Sequence, residues 1–138
     1  MPTEDGAPAP DRDSTWVGDI EIVDFRSLKT ETQCHFTLPA EFRRVTAQQE
    51  LARLAHVTFT DGAQTHWHHH TGPQWLVFLE GSGEVETRSG KRLPCGKGDV
   101  VRIDPCLSHR HGAAAGSPAT HLAITVGETE WEENCPGG

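Results

Sequence analysis

A chain of 138 residues is one ordinary domain, long enough to bury a core without disulfides, since domains of this size bury roughly two-thirds of their unfolded surface. The formal net charge is −8, with 20 acidic against 12 basic side chains, which argues against a nucleic-acid footprint and against docking on an anionic membrane. No apolar run approaches the ~20 residues of a membrane-spanning helix, and the acidic opening Met1-Pro2-Thr3-Glu4-Asp5-Gly6 is unlike a secretory signal, so the cytoplasm is the expected compartment.

Residues 1–15 carry three prolines and four acids and are expected to form a loose tail. The folded domain is expected over 16–131, followed by a second tail over 132–138. Ile20, Ile22 and Phe25 suggest a first strand or edge segment. Thr46 to Ala55 passes for a short helix on propensity. A strand ending at Phe59 is the preferred reading, because Leu54 to Phe59 carries β-branched and aromatic residues and stops at Asp61-Gly62, a turn signal. Short strands follow at Thr65–His70, Gln74–Glu80, Gly83–Thr87, Asp99–Ile103, Ser108–His111 and Thr120–Val126. Their separators are Thr71-Gly72-Pro73, Gly81-Ser82-Gly83, Ser89-Gly90-Lys91 and Gly96-Lys97-Gly98, which tolerate positive φ or preset a turn. Short strands at this spacing imply an all-β sandwich or barrel, with a jelly roll one standard arrangement. Cys34, Cys95, Cys106 and Cys135 include no Cys-x-x-Cys pair and read as free thiols.

The chemistry concentrates in the histidines. On a strand, His68 and His70 leave the same face with Cα atoms about 7 Å apart. The turn Thr71-Gly72-Pro73 reverses the chain, and Gln74 opens the next strand where it can face the pair across a hairpin. His109 can add a third imidazole. Three imidazoles and an amide oxygen suit a first-row divalent ion. Against this stands the plainer reading of His66-Trp67-His68-His69-His70 as a solvated histidine tract with adventitious metal affinity.

The surrounding pattern favours the first reading, and here the chain resembles the cupin superfamily. The first cupin motif is a glycine, five residues, His-x-His, three or four residues, a carboxylate or amide, six residues and a glycine. Gly62, His68, His70, Gln74 and Gly81 match every gap. In the second motif Gly98 and His109 match, while Asp104 and Cys106 replace a proline and a glycine, with Pro105 one place late. From about Ala55 to Val126 the chain is similar to small bacterial cupins that include manganese-dependent hydroxynitrile lyases. That resemblance implies a single-domain cupin jelly-roll β-barrel and one divalent ion on His68, His70, Gln74 and His109. Mn2+ or Fe2+ is the expected metal, with Ni2+, Co2+ or Zn2+ as alternatives. His111 and His121 fall where the family places non-ligand histidines near the active site.

A glutamate ligand would lower the charge of the site to +1, whereas Gln74 leaves the metal its full +2, which favours anionic ligands and acidifies a bound hydroxyl group. On a regular strand His111 shares the face of His109 and is a candidate base beside the metal; His121, in an apolar strand, is a second candidate. His66 shares the face of His68 and His70 and is a competing ligand or base. His69 faces away. Trp75, Leu76 and Phe78 read as core or subunit contact, and Cys106 as a packed thiol. The leading function is therefore an enzyme with a Lewis-acid metal and a histidine proton shuttle acting on a small oxygenated substrate, and the family resemblance implies hydroxynitrile-lyase-like C–C cleavage as its concrete form. The alternatives are an Fe(II) or Mn(II) dioxygenase and a non-catalytic metal or small-molecule binder. A homodimer or higher homo-oligomer is expected, because exposed strand edges need cover.

Overall fold

The computed structural model describes residues 16–17, 20–46, 50–133 and 135. The tail expected over residues 1–15 lies outside them, as do residues 134 and 136–138 of the second tail. Nine strands build one antiparallel sheet: β3 (Ala40–Arg44), β4 (Ala52–Phe59), β5 (His68–His70), β6 (Gln74–Thr87), β7 (Arg92–Gly96), β8 (Val100–Ile103), β9 (His109–Ala113), β10 (Ala119–Val126) and β11 (Thr129–Trp131). Ahead of them, β1 (Trp16–Val17) and β2 (Ile20–Glu21) form a separate two-stranded ribbon. Among the described residues there is no α-helix, and no helix is long and apolar enough to cross a membrane.

The long strand β6 curls the sheet into a barrel. Its first part pairs with β10 and β8, and its second part pairs with β9 and β7. It therefore belongs to two facing surfaces, β3-β4-β10-β6-β8 and β11-β5-β9-β6-β7. The bend falls at Gly81, where φ is +77° and an added Cβ would collide with the carbonyl of Pro118. Only glycine meets both demands.

Alternation of buried and half-buried residues gives the strands their inner face. On β10 that face is Ala119, His121, Ala123 and Thr125; on β6 it begins with Gln74, Leu76 and Phe78. Two apolar clusters result. One holds Leu76, Phe78, Val85, Cys95, Ile103 and Ala123, the other Val57, Phe59, Ala63, Ala113 and Ala119. Phe59 and Phe78 are fully buried, and each such side chain contributes about 1.5–3 kcal/mol. On the inner face of β10 the buried His121 lies between Ala123 of the first cluster and Ala119 of the second.

The all-β reading stands, and several local expectations are corrected. Gly81-Ser82-Gly83 does not separate two strands, because β6 runs through it and changes partners there. The Ile20 to Phe25 segment is split between β2 and a 3-10 turn at Phe25–Ser27, capped by the Asp24 side chain. Strands β3, β7 and β11 carried no sequence signal that was read. Thr71-Gly72-Pro73 is not a hairpin turn: β5 pairs with β9 and β11, β6 with β9, β10, β7 and β8, so the turn carries the chain from one surface to the other. The cysteines are not all free. Cys34 and Cys135 are joined as a disulfide across 101 residues, with Cα atoms 5.5 Å apart. The segment before β3 and the chain after β11 run side by side there, and His35 stacks on Trp131 at 3.9 Å. No local spacing encodes such a pair.

Candidate metal centre

His68 and His109 are Cα partners across β5 and β9, and His70 lies two residues along the inner face of β5. Their ring centroids are 4.4 Å (His68 to His109), 4.9 Å (His68 to His70) and 5.3 Å (His70 to His109) apart. The ligand nitrogens of all three lie within 4.8 Å of one another, and all three residues are buried. Gln74 arrives from the facing surface at the start of β6, with Oε1 3.1 Å from His109 Nε2.

The hydrogen bonds around these side chains decide which atoms are available. His68 Nδ1 donates to the carbonyl of His66, and His109 Nδ1 donates to the carbonyl of Leu107, each at 2.8 Å. In a neutral imidazole so held, Nε2 carries a bare lone pair. His70 Nδ1 is bonded to Thr129 Oγ1 at 2.9 Å, which leaves its Nε2 buried and unbonded next to the Gln74 side chain. Gln74 Nε2 donates to Thr125 Oγ1 at 2.8 Å, which turns Oε1 toward His109. Two acceptors, His109 Nε2 and Gln74 Oε1, thus face each other at 3.1 Å in a buried setting.

A proton on His109 would relieve that contact, but burial works against it. Desolvation holds the His68 basicity well below the ordinary imidazole value, with the neighbouring His109 adding to the effect. Burial also lowers His109, and it lowers His70 to about 3 with help from His109. Neutral imidazoles with their outer nitrogens tied down and lone pairs converging on an amide oxygen are the arrangement that a divalent cation resolves. The residues present therefore fit one divalent ion held by His68, His70, His109 and Gln74.

His111 and His121 are brought together behind this group. His111 Nδ1 and His121 Nε2 are 2.9 Å apart, both residues are buried, and the His111 ring lies 5.3 Å from that of His68. Phe59 and Phe78 meet His121 edge-on at 5.0 and 5.3 Å. Burial lowers His121 to about 4 and pushes His111 well below its ordinary value, His121 contributing to the latter. One proton is shared within the pair. The outer nitrogens, His111 Nε2 and His121 Nδ1, have no partner from any other of the described residues.

His68, His70 and Gln74, together with His111 and His121, line one cavity of about 440 Å³, walled by Phe36, Phe42, Val57 and Phe59 on its apolar side. His66 does not join the converging set. Its ring stands edge-on to His35 at 6.1 Å, and its contribution is the carbonyl that orients His68. His69 points outward toward Glu132, as expected of an outer-face residue. Trp67 is covered by Arg88 and Arg110.

Cys106 is a further correction. It is exposed rather than packed, and its φ is +63°, the sole non-glycine positive φ among the described residues. It occupies the place where the second motif has glycine, and its N–H donates to the carbonyl of His70 at 2.7 Å, which fixes the end of β5. A left-handed residue with a side chain carries about 1–2 kcal/mol of strain, while glycine loses about 0.5–1 kcal/mol in chain entropy. Cys106→Gly is thus expected to leave the thermal midpoint nearly unchanged. Cys106→Val, branched at Cβ, is expected to lower it by the equivalent of more than 1 kcal/mol. Equal losses in a melting comparison of the two variants would contradict the assigned backbone role.

Sequence reasoning missed Thr125, Thr129 and Trp131. Thr125 was within reach, since it follows His121 and Ala123 on the period-two inner face of β10. Thr129 and Trp131 lie on β11 opposite His70 and His68, a pairing that no local pattern foretells.

Comparison with known proteins agrees with this architecture. The model of the cupin domain family matches residues 55–125. An (R)-mandelonitrile lyase from Granulicella tundricola is 43% identical over 70 residues, covering 51% of this chain and 53% of that protein. The chain thus matches about half the length of that curated relative. A cupin-like protein from Thermotoga maritima superposes with a TM-score of 0.71 at 30% identity, over 78% of this chain and 87% of that one. A polyketide cyclase from Streptomyces resistomycificus shares the fold alone, with a TM-score of 0.70 at 16% identity over 85% of this chain and 88% of its own. A family match over half the chain, on a jelly-roll barrel that brings the histidines of both motifs together, establishes that this chain belongs to the cupin family.

Proposed function

We propose that this chain is a metal-dependent lyase that breaks a C–C bond beside an oxygenated carbon, in the manner of a hydroxynitrile lyase. The observation that carries this reading is the buried meeting of His109 Nε2 and Gln74 Oε1 at 3.1 Å, with His68 and His70 converging on the same point. Similarity to the (R)-mandelonitrile lyase over 70 residues supports the reaction class. When bound, a divalent ion supplies Lewis acidity toward a substrate oxygen. Mn2+ and Fe2+ suit the nitrogen and amide donors, and the neutral Gln74 keeps the charge at that point high.

The remaining work falls to the chain's own residues. In a cyanohydrin the hydroxyl proton must leave as the C–C bond breaks, with the bonding pair departing on cyanide. The His111–His121 pair is built to take that proton. Whichever ring donates the shared N–H, one outer nitrogen is bare and the other protonated, so a proton accepted at one end can be returned from the other after the shared proton shifts. The apolar wall of Phe36, Phe42, Val57 and Phe59 receives the substituent on the reacting carbon and keeps water from it. The direct test is an anaerobic assay of Mn2+- and Fe2+-loaded protein with (R)-mandelonitrile. Release of benzaldehyde and cyanide in equal amounts is expected. Activity that requires oxygen, consumed in proportion to product, would transfer the reading to a dioxygenase.

A further inference from the structure

Among the charged side chains of the cavity wall, none of which the reaction above uses, Arg53 stands apart. Arg53 stands on β4 in the alternating set 53, 55, 57, 59, and Arg53, Ala55, Val57 and Phe59 all line the cavity. Arg53 is the Cα partner of Thr125, and Thr125 is the Cα partner of Gln74. The three residues form one transverse row across β4, β10 and β6. At about 4.8 Å per strand, the backbone of Arg53 is roughly 10 Å from that of Gln74, a gap that an arginine stem and a small ligand together can span.

What sets Arg53 apart is the lack of a counter-ion. The other arginine of the cavity wall, Arg44, is held by Glu31 through two bonds of 3.1 and 3.2 Å and lies over the ring of Phe42. Arg53 is half-buried, yet among the described residues it has no hydrogen bond or ion pair. Glu128 is the one carboxylate of the cavity wall, and it is exposed and not bonded to Arg53. Half-burying a guanidinium without a partner costs free energy that nothing among the described residues returns. A planar fork of donors held in this way matches a carboxylate.

We infer that Arg53 is the carboxylate-binding residue of this cavity, and that the native substrate is a small acid with a hydroxyl or carbonyl oxygen directed at the Gln74 end and an apolar group against Phe36, Phe42 and Phe59. The inference rests on the cavity being the substrate site, as proposed above, and it adds a carboxylate to the oxygenated carbon that the proposed reaction requires, with (R)-mandelonitrile then a neutral surrogate of the native substrate.

Calorimetric titration of the purified protein with mandelate and with mandelamide tests it. The two probes share the ring and the hydroxyl and differ in charge. Mandelate is expected to bind about ten- to a hundred-fold more tightly, the range for a hydrogen bond to a charged group. Arg53→Gln should abolish that preference while leaving mandelamide affinity unchanged, and Arg53→Lys should restore part of it. The same titrations on chelator-treated protein separate this claim from the metal reading. A mandelate preference that depends on Arg53 and survives metal removal supports the carboxylate site whatever becomes of the metal. A preference that persists in Arg53→Gln, or no preference in metal-loaded wild-type protein, overturns it.

Discussion

Replacing His111 or His121 by alanine should leave the metal in place and lower turnover about 10²–10⁴-fold, the usual cost of losing a positioned proton acceptor. The argument is geometric. The pair is buried, bonded internally at 2.9 Å, and ends in two nitrogens that no other described residue satisfies. Buried polar atoms without partners are rare, and one at each end of a two-ring chain facing a cavity is what a relay requires. His121→Ala is the cleaner variant, because His111 lies between it and His68 and shields the metal group. Each single variant should fall about as far as the double variant, since a relay broken at one point is broken throughout. Full activity in both singles would remove this account of the proton while leaving the four-donor group standing.

How much of this was legible beforehand differs between fold and site. The strands that carry the two motifs could be read because glycine turns and alternating residues are local signals. So could the meeting of His68, His70, Gln74 and His109, whose spacing is written along the chain. The route by which Gln74 reaches the histidines could not, since a three-residue turn looks the same whether it closes a hairpin or crosses between surfaces. Strand β6 hid its length behind Gly81 and Gly83, which bend it without ending it. The pairing of Cys34 with Cys135 and the approach of Trp131 to His35 and His68 depend on chain ends that meet only after the barrel has closed. Cys106 misled for a different reason. Cysteine usually packs, but here a backbone demand for positive φ outweighed the side chain's preference for burial.

The central claim is that four side chains from two facing surfaces hold one divalent ion, and it makes a large and simple prediction. Each donor is already oriented: His68 by the His66 carbonyl, His109 by the Leu107 carbonyl, His70 by Thr129 and Gln74 by Thr125. Loss of an imidazole removes a ligand and leaves the others facing a void. Loss of an orienting group should cost less, about 10- to 100-fold in metal affinity for Thr129→Val. Gln74→Glu should keep the ion and alter turnover, because it changes the charge of the site more than its shape. The decisive measurement is elemental analysis of purified protein after equilibration with Mn2+ or Fe2+ and removal of free ion. The wild-type chain should retain close to one ion per chain, and His68→Ala and His109→Ala should each retain almost none. Unchanged metal content in both variants would contradict the assigned site.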